Sequence, residues 1–563
     1  MSKYLIIGGV AGGMSAATRL RRLQESAEII VFEKGPHVSF ANCGLPYYIS
    51  GEIEKREQLI VQSAEALTQR FRLDIRENSE VIKINPSEKT VIVKSGNQTY
   101  LESYDSLILS PGAKPILPSL PGLSEAKNIF TLRNIPDLDK ITHFIENQTV
   151  KQAVVIGAGF IGIEMAENLT QRGLAVTIIE KADHILPTLD PEMAKPIQIS
   201  LEAHGVRVLT GHSASQFEDD GREILLDDGQ VISSGLTLMS VGVQPETTLA
   251  ADAEIALGLR GGILVNERYE TSVKDIYAVG DAIIVKQEQT KADSLISLAS
   301  PANRQGRQVA DILSGLDVKN RGSLGTAIVR VFEQTAASTG LSEQQVKVTG
   351  WLHKVVHISA NHHAGYYPSA SPILLKLIFN PESGAIYGAQ ATGKNGVDKR
   401  VDVIATAIKG GLTIFDLPEL ELSYAPPFGS AKDPVNMIGY AAMNLALGLS
   451  DNIQWYQLAD ELAQGKVLLD VRNPSEIARG AFKNSLNIPL DELRERLTEL
   501  DKDQAYIVSC QSGLRSYNAE RILKQSGFEV ENLDGAYGLY SSMTDALLEK
   551  KAEKQVKKEA ETR

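Results

Sequence analysis

The chain has 563 residues, too many for one hydrophobic core and enough for about three or four domains. Its composition, 43% hydrophobic and 23% charged, is that of a soluble globular protein, and no apolar run reaches the roughly 18 residues of a membrane span. A net charge of −13 argues against a nucleic-acid binder, and two cysteines are too few for a disulfide framework and suit a reducing cytoplasm.

From the start, "MSKYLIIGGV" runs straight into glycines, without the longer apolar segment and cleavage site of a signal peptide. The expected location is therefore cytoplasmic. "KYLIIGGVAGGMSAATRLRRL" predicts a strand, a glycine turn and a helix, and "EIIVFEK" a second strand ending in Glu33 and Lys34. "KQAVVIGAGFIGIEMAENLTQRG" and "AVTIIEK" repeat that unit and end it in Glu180. This is the strand–helix–strand start of a dinucleotide fold, present twice. "SPGAKPILPSLPG" (110–122) reads as a turn-rich crossover, and "TSVKDIYAVGDAI" as a strand ending in Gly280 and Asp281.

The second turn is the cleaner. Gly157, Gly159 and Gly162, with Phe160 and Ile161 between them, keep the G-x-G-x-x-G spacing between strand and helix. They serve a tight turn, backbone approach to a pyrophosphate and close helix–strand packing, with the phosphates at the helix N-terminus. Glu180 lies where an acid accepts from a ribose 2′-hydroxyl and repels a 2′-phosphate, which favours NADH. Lys181 keeps NADPH open. Gly242, in "SVGVQP", is placed with this site. The first turn reads Gly8-Gly9-Val10-Ala11-Gly12-Gly13, with valine at the middle glycine position, and Glu33 keeps the ribose role. Either turn alone is compatible with an ordinary glycine bend.

After about residue 325 the pattern becomes α+β. Strand-like "LGTAIVRVF" and "PILLKLIF" alternate with helix-like "KRVDVIATAIKGG". "HH" at His362 and His363 reads as a loop feature, and no Cys/His cluster has zinc spacing. Segment 440–454, small and weakly patterned, holds the expected linker. "GKVLLDVRN" opens a last α/β unit, in which "AYIVSCQSGLRS" is a strand and loop before the helix "SYNAERILKQSG". The tail "EKKAEKQVKKEAETR" is charged.

The two cysteines lie in unlike settings. Cys43 sits in "SFANCGLPYYISG", where Asn42, Gly44 and Pro46 do not read as a core strand, although a buried structural cysteine is the common alternative. Cys510 opens a C-x-x-x-x-R loop ending in Arg515 at a helix N-terminus. Such a loop curls its amides around one sulfur atom, and Arg515 with the helix dipole is expected to lower the thiol pKa.

Residues 1 to about 445 resemble the pyridine nucleotide–disulfide oxidoreductase family. Within it, "SFANCGLPYYISG", "NHHAGYYPSA" and "LSYAPPFGSAKDPVN" resemble the coenzyme A-disulfide reductases. "YAVGDA" resembles the flavin-ribityl contact of such flavoproteins, which puts FAD at the first turn, with Asp281, and nicotinamide at the second. Relatives such as glutathione reductase carry a cysteine pair where this chain has only Cys43. A single cysteine pairs with a small thiol or passes through a sulfenic acid; in the resembled family the pair is Cys–S–S–CoA. The resemblance implies that Ser15, Arg19 and Arg22 meet coenzyme A phosphates, although a solvated basic helix face has the same spacing. It also implies substrate contacts at Ser39, Asn42, Asn303, His363 and Lys432, with Phe71 where some relatives carry lysine and Arg72 as a substitute. Tyr367 and Tyr424 match tyrosines that reach the site from the second subunit of a homodimer; interface packing is the alternative. "LLDVRNPSEI" (Asp470, Arg472, Glu476) and "NSLNIPLDEL" with the Cys510 loop resemble a rhodanese domain, with Ala481 and Asn484 in place of a usual histidine and glycine.

The expected architecture is α/β. An FAD-binding domain (1–115 and 246–324) is interrupted by an NAD(P)H domain (116–245). An α+β dimerisation domain (325–445), a linker (446–454), a rhodanese domain (455–548) and a charged tail (549–563) follow. The expected function is NAD(P)H-dependent, FAD-mediated reduction of coenzyme A disulfide, coenzyme A persulfide or polysulfide at Cys43, with Cys510 delivering sulfane sulfur. Two other readings stay open: an NADH oxidase or peroxidase cycling through a Cys43 sulfenic acid, and a sulfur carrier regulated by its flavin half.

Overall fold

A computed structural model of the chain describes residues 2–549, so all but the first residue of the expected charged tail lies outside the described residues. The chain divides into two units, residues 1–186 with 201–325, and residues 187–200 with 326 onward.

The first unit is built on two parallel sheets. One orders its strands Ile276–Ala278, Ser106–Leu109, Lys3–Ile7, Glu28–Phe32 and Asp74–Arg76. The other orders them Arg207–Thr210, Ala175–Glu180, Gln152–Ile156, Leu236–Met239 and Ile129–Phe130. In both, the first strand of the repeated unit lies in the middle, with the second strand on one side and a later one on the other. That is the strand-order switch at whose carboxyl end α/β sheets bind ligands. The strands are near-continuous apolar runs because both faces are covered: Leu5, Ile6, Ile30, Val31, Leu107 and Ile108 are buried. Helix Ala11–Leu23 packs against helix Ala299–Leu313, and a Cβ on Gly306 would stand 2.0 Å from the Gly12 carbonyl oxygen. The expected crossover at 110–122 contains a short strand, Ala113–Pro115, which pairs antiparallel with Val243–Pro245.

The second unit joins an antiparallel sheet to a parallel one. The antiparallel order is Ala327–Val331, Gln334–Gly340, Ile386–Gly393, Pro372–Phe379, Lys354–Asn361. Helices Val397–Gly410 and Pro434–Ala446 cover one face around a core that includes Leu375, Leu377, Ile404 and Ile438. The parallel sheet runs Asn452–Ile453, Val530–Leu533, Tyr506–Ser509, Val467–Asp470, Leu486–Asn487. Its first strand lies inside the segment expected as a linker. Ile453 is apolar and buried, and Asn452 and Ile453 pair with Asn532 and Leu533. Asn484, in place of the usual glycine, has φ 57°, a left-handed conformation that asparagine tolerates better than most residues.

Candidate active site

The two glycine turns are the same device built twice. Gly8 and Gly157 have φ 101° and 99° and donate their amides to Phe32 and Ile179 of the neighbouring strand, each at 2.8 Å. A Cβ on Gly13 would stand 1.9 Å from the Gly8 carbonyl oxygen, and one on Gly162 2.0 Å from that of Gly157. These glycines let the helix begin directly over the strand end. Each acid then ties the turn to its second strand. Glu33 accepts the Gly9 and Gly35 amides, both at 2.9 Å; Glu180 accepts those of Ala158 at 2.6 Å and Ala182 at 2.8 Å. The middle positions differ. A Cβ on Gly159 would meet nothing within 4 Å, whereas Val10 fills the matching place. Phe160 and Ile161 begin the second helix, with Ile161 exposed; Ala11 and Gly12 begin the first. Lys34 is exposed after Glu33. Gly242 (φ 114°) accepts the Ile116 amide at the paired crossovers.

Gly280 and Asp281 open a turn after strand Ile276–Ala278, where the Gly280 amide donates to the buried Gln305 side chain. Among the described residues the Asp281 carboxylate accepts no hydrogen bond, and burial pushes it up to about 6 against the pull of Arg133. A half-buried carboxyl left without a partner beside an open cradle is a group waiting for a donor.

Cys43 occupies a 3-10 turn, Asn42–Gly44, before helix Leu45–Ser50. The turn is held by the Gly44 amide on the Ala41 carbonyl and the Ala41 amide on Leu59. Gly44 leaves room for Leu59, whose Cδ2 would stand 2.9 Å from a Cβ there. The Cys43 residue is exposed, yet its thiol is crowded enough that burial raises its pKa, and the Glu164 and Asp281 carboxylates raise it further. Glu164 lies on the helix after the second glycine turn, Phe160–Gln171, and accepts from the Tyr47 hydroxyl at 3.3 Å. Arg172 at the end of that helix donates to the Ile49 carbonyl at 2.8 Å. Cys43, Asp281 and the helix of the second turn therefore converge. Glu164 and Tyr47 were not among the sequence candidates; the signal was an acid in the helix after the fingerprint.

The expected substrate contacts of the first unit gather at helix Ala11–Leu23. Ser15 donates to the Asn303 side chain at 2.6 Å, and Asn303 donates to the Ala299 carbonyl. Arg19 is already paired with Asp311 at 2.6 Å, while Arg22 is exposed with its guanidinium 6.0 Å from the Phe71 ring centre. Arg72 caps its helix in a left-handed conformation, with its exposed side chain beside Glu25. Ser39 (φ 47°) donates its amide to Gly9 of the first turn, and Asn42 donates to the Arg133 carbonyl.

In the second unit, His362 and His363 lie in the loop between strands Lys354–Asn361 and Pro372–Phe379. Arg400 fastens this loop, donating to the His362 carbonyl at 2.7 Å and to Asp433 at 2.8 Å. His363 is buried with Tyr367 edge-on to it; Lys432 is exposed. Tyr424 exchanges a hydroxyl hydrogen bond at 3.1 Å with Tyr366, the neighbour of the residue expected from the sequence.

Cys510 follows strand Tyr506–Ser509 directly and is buried. Its sulfur accepts the Gly513 amide at 3.1 Å, before helix Leu514–Gln525. Arg515, expected to lower the thiol pKa, lies near enough to interact electrostatically with Cys510. Both its terminal nitrogens donate to Glu476, each at 2.7 Å, and hold that carboxyl down at about 2. Arg472 and Asp470 form a buried bidentate pair under the loop.

Comparisons with known proteins agree with this layout. The family model "Pyridine nucleotide-disulphide oxidoreductase" matches residues 2–306, its dimerisation domain residues 326–434, and the rhodanese-like domain residues 454–542. The chain is 37% identical over 446 residues to a coenzyme A disulfide reductase of Staphylococcus epidermidis, covering 78% of this chain and 100% of that one. Among solved structures, reduced CoADR-RHD of Bacillus anthracis superposes with TM-score 0.96 at 51% identity, covering 97% of this chain and 99% of that one. An NAD-dependent persulfide reductase from A. fulgidus gives TM-score 0.90 at 36% identity, covering 96% and 100%. Among the described residues, no helix is long and apolar enough to cross a membrane.

Proposed function

This chain belongs to the pyridine nucleotide-disulphide oxidoreductase family, and from that premise we propose that it reduces sulfur bonded to coenzyme A with electrons from NADH. Membership implies FAD and NAD(P)H, and the dimerisation domain implies a homodimer. The residues fit both cofactors. The first turn (Gly8 to Gly13) with Glu33 and the unpartnered Asp281 would hold FAD. The second (Gly157 to Gly162), open above Gly159, with Glu180 and Gly242 would hold NADH. When bound, FAD supplies an acceptor and donor of an electron pair.

The observation that carries the reading is the convergence of Cys43, Asp281 and the helix of the second turn around one exposed thiol. The Cys43 thiolate attacks the disulfide of CoA–S–S–CoA, forming Cys43–S–S–CoA and releasing one coenzyme A thiolate. Two electrons and a proton then restore Cys43 and release the second coenzyme A, so NADH, a proton and the disulfide become NAD⁺ and two thiols. With CoA–S–SH the first leaving group is hydrosulfide and the rest is the same. Ser15, Arg19, Arg22, Ser39, Asn42 and Asn303 orient the substrate. Tyr367 and Tyr424 of the partner subunit give a proton to the departing sulfur. In the rhodanese-like part, the Cys510 thiolate attacks the outer sulfur of a sulfane donor such as thiosulfate, releasing sulfite and becoming a persulfide; a coenzyme A thiolate then takes that outer sulfur as coenzyme A persulfide and restores the Cys510 thiolate.

The fusion favours persulfide over simple disulfide. The test is NADH oxidation with coenzyme A persulfide and with coenzyme A disulfide, in wild type and in Cys510→Ser. Both forms should turn over both substrates, and only wild type should release hydrosulfide, with oxidation of NADH, from thiosulfate plus coenzyme A. NADH oxidation driven by dioxygen alone would overturn the reading in favour of an oxidase.

A further inference from the structure

The second unit holds a buried polar network that the chemistry above does not use. Lys376 lies in the apolar strand Pro372–Phe379 and is fully buried. Its ammonium meets Asp190 at 2.8 Å, Glu192 at 2.5 Å and Glu343 at 2.7 Å. In the sheet it stands opposite His357 on one side and Gln390 on the other, so the three form a polar row across neighbouring strands. Gln390 continues the network by donating to Asp190 at 2.7 Å. Three carboxylates around one point have the form of a cation site, and the ammonium fills it.

His357 extends the row into the rhodanese-like part. Its Nε2 faces Glu192 at 3.3 Å and its Nδ1 faces Asp534 at 2.7 Å. The Asp534 carboxylate also accepts the His357 amide at 3.0 and 3.1 Å and the Gln454 side chain at 3.0 Å. Tyr456 adds a second tie, donating to Glu343 at 2.6 Å. The charged groups facing His357 are thus Asp534, Glu192 and Lys376. Burial opposes a charge on the ring, but the Asp534 and Glu192 carboxylates outweigh it and lift the ring to about 9. Both ring nitrogens then donate.

The position of Asp534 in the chain gives the network a use. Helix Ala536–Met543 begins two residues on. In its first turn the Tyr537 amide donates to the Cys510 carbonyl and the Gly538 amide to the Gln511 carbonyl, each at 3.0 Å. The Tyr537 ring lies 3.7 Å from the Arg472 guanidinium, which reaches the Gln511 side chain at 3.5 Å. The carboxylate that docks on the antiparallel sheet therefore also fixes the helix from which the Cys510 loop hangs. Buried ion clusters rarely add net stability over apolar packing; fixing one arrangement is the role best attested for them. Resting on the reading of Cys510 as a sulfur carrier, we propose that His357 and Asp534 are positioning residues for Cys510, so that docking onto the dimerisation sheet sets the geometry of the sulfur-transfer loop.

The test uses the full chain and its two cysteines, whose alkylation is read separately by peptide mass. In His357→Gln and Asp534→Asn, iodoacetamide should modify the buried Cys510 about tenfold faster, in the range of couplings carried by packed networks. Amide exchange at 537–538 should quicken and sulfur transfer from thiosulfate to cyanide should slow. Cys43 alkylation and NADH turnover with coenzyme A disulfide should stay at wild-type values. Asp534→Glu keeps the acceptor and should recover most of the wild-type Cys510 rate, and it carries the test should the other variants not fold. A wild-type Cys510 rate in folded His357→Gln or Asp534→Asn overturns the proposal. So does faster exchange confined to the docking strands, or an Asp534→Glu rate equal to that of Asp534→Asn. Failure of wild type to transfer sulfur would remove the sulfur-carrier reading, while the alkylation comparison would still decide the positioning.

Discussion

Cys43 stands exposed in a 3-10 turn, with the Glu164 and Asp281 carboxylates as the charges that act on it. Cys510 is buried at a strand end, its sulfur receiving a backbone amide and its loop backed by the Arg472–Asp470 pair. The first setting admits a bulky substrate but discourages the thiolate. The second excludes bulk but gives its sulfur one backbone amide donor. The contrast teaches that two thiols of one chain can differ sharply in access. A large disulfide suits Cys43; a single sulfane sulfur suits Cys510.

The largest effect that breaks or sharpens this contrast is a crossed loss. Cys43→Ser should lower NADH turnover with coenzyme A disulfide on the order of a thousandfold or more, as loss of a nucleophile does, and leave thiosulfate-to-cyanide transfer intact. Cys510→Ser should do the reverse. Steady-state rates of both reactions on both variants check it, and equal loss of both reactions in either variant would merge the two sites.

A smaller effect separates the cradle that serves Cys43 from its packing. Gly162→Ala puts a Cβ 2.0 Å from the Gly157 carbonyl oxygen and should destabilise the protein by about 1–3 kcal/mol, the usual cost of overpacking. Gly159→Ala meets no protein atom. It should keep the wild-type melting temperature and raise KM for NADH. Thermal melts with NADH titrations distinguish the two.

The smallest effect lies on the Cys510 side. Glu476 is held below its ordinary value by Arg515, so the stability it contributes is present above about pH 4.3 and is lost as pH falls toward its folded value of about 2. Glu476→Gln should lower the melting temperature above about pH 4.3, pH 7 included, and flatten its dependence on pH in that window, the variant and wild type converging as pH falls toward about 2. An unchanged slope would show that the Arg515 pair is not formed in solution.

Much of the first unit was legible because its glycines answer to sterics. Only a residue without Cβ fits where Gly13 and Gly162 meet the carbonyls of Gly8 and Gly157, so the spacing survives in the sequence. The strand, loop and helix around Cys510 were equally plain. What was not legible depends on distant partners. Lys376 interrupts the apolar run "PILLKLIF", but its carboxylates come from residues 190, 192 and 343. Tyr366 and Tyr367 are neighbours, and only the loop conformation decides which hydroxyl meets Tyr424. The strand at Asn452–Ile453 is too short for a periodic signal, and its pairing with residues 532–533 defines it.

Mass spectrometry of the purified protein, with peptides mapped before and after NADH, addresses the lone nucleophile most directly. A coenzyme A-sized adduct on the Cys43 peptide, discharged by NADH to a free thiol, is the predicted result. A Cys43 that carries only oxygen, or an adduct found on Cys510 instead, would contradict it.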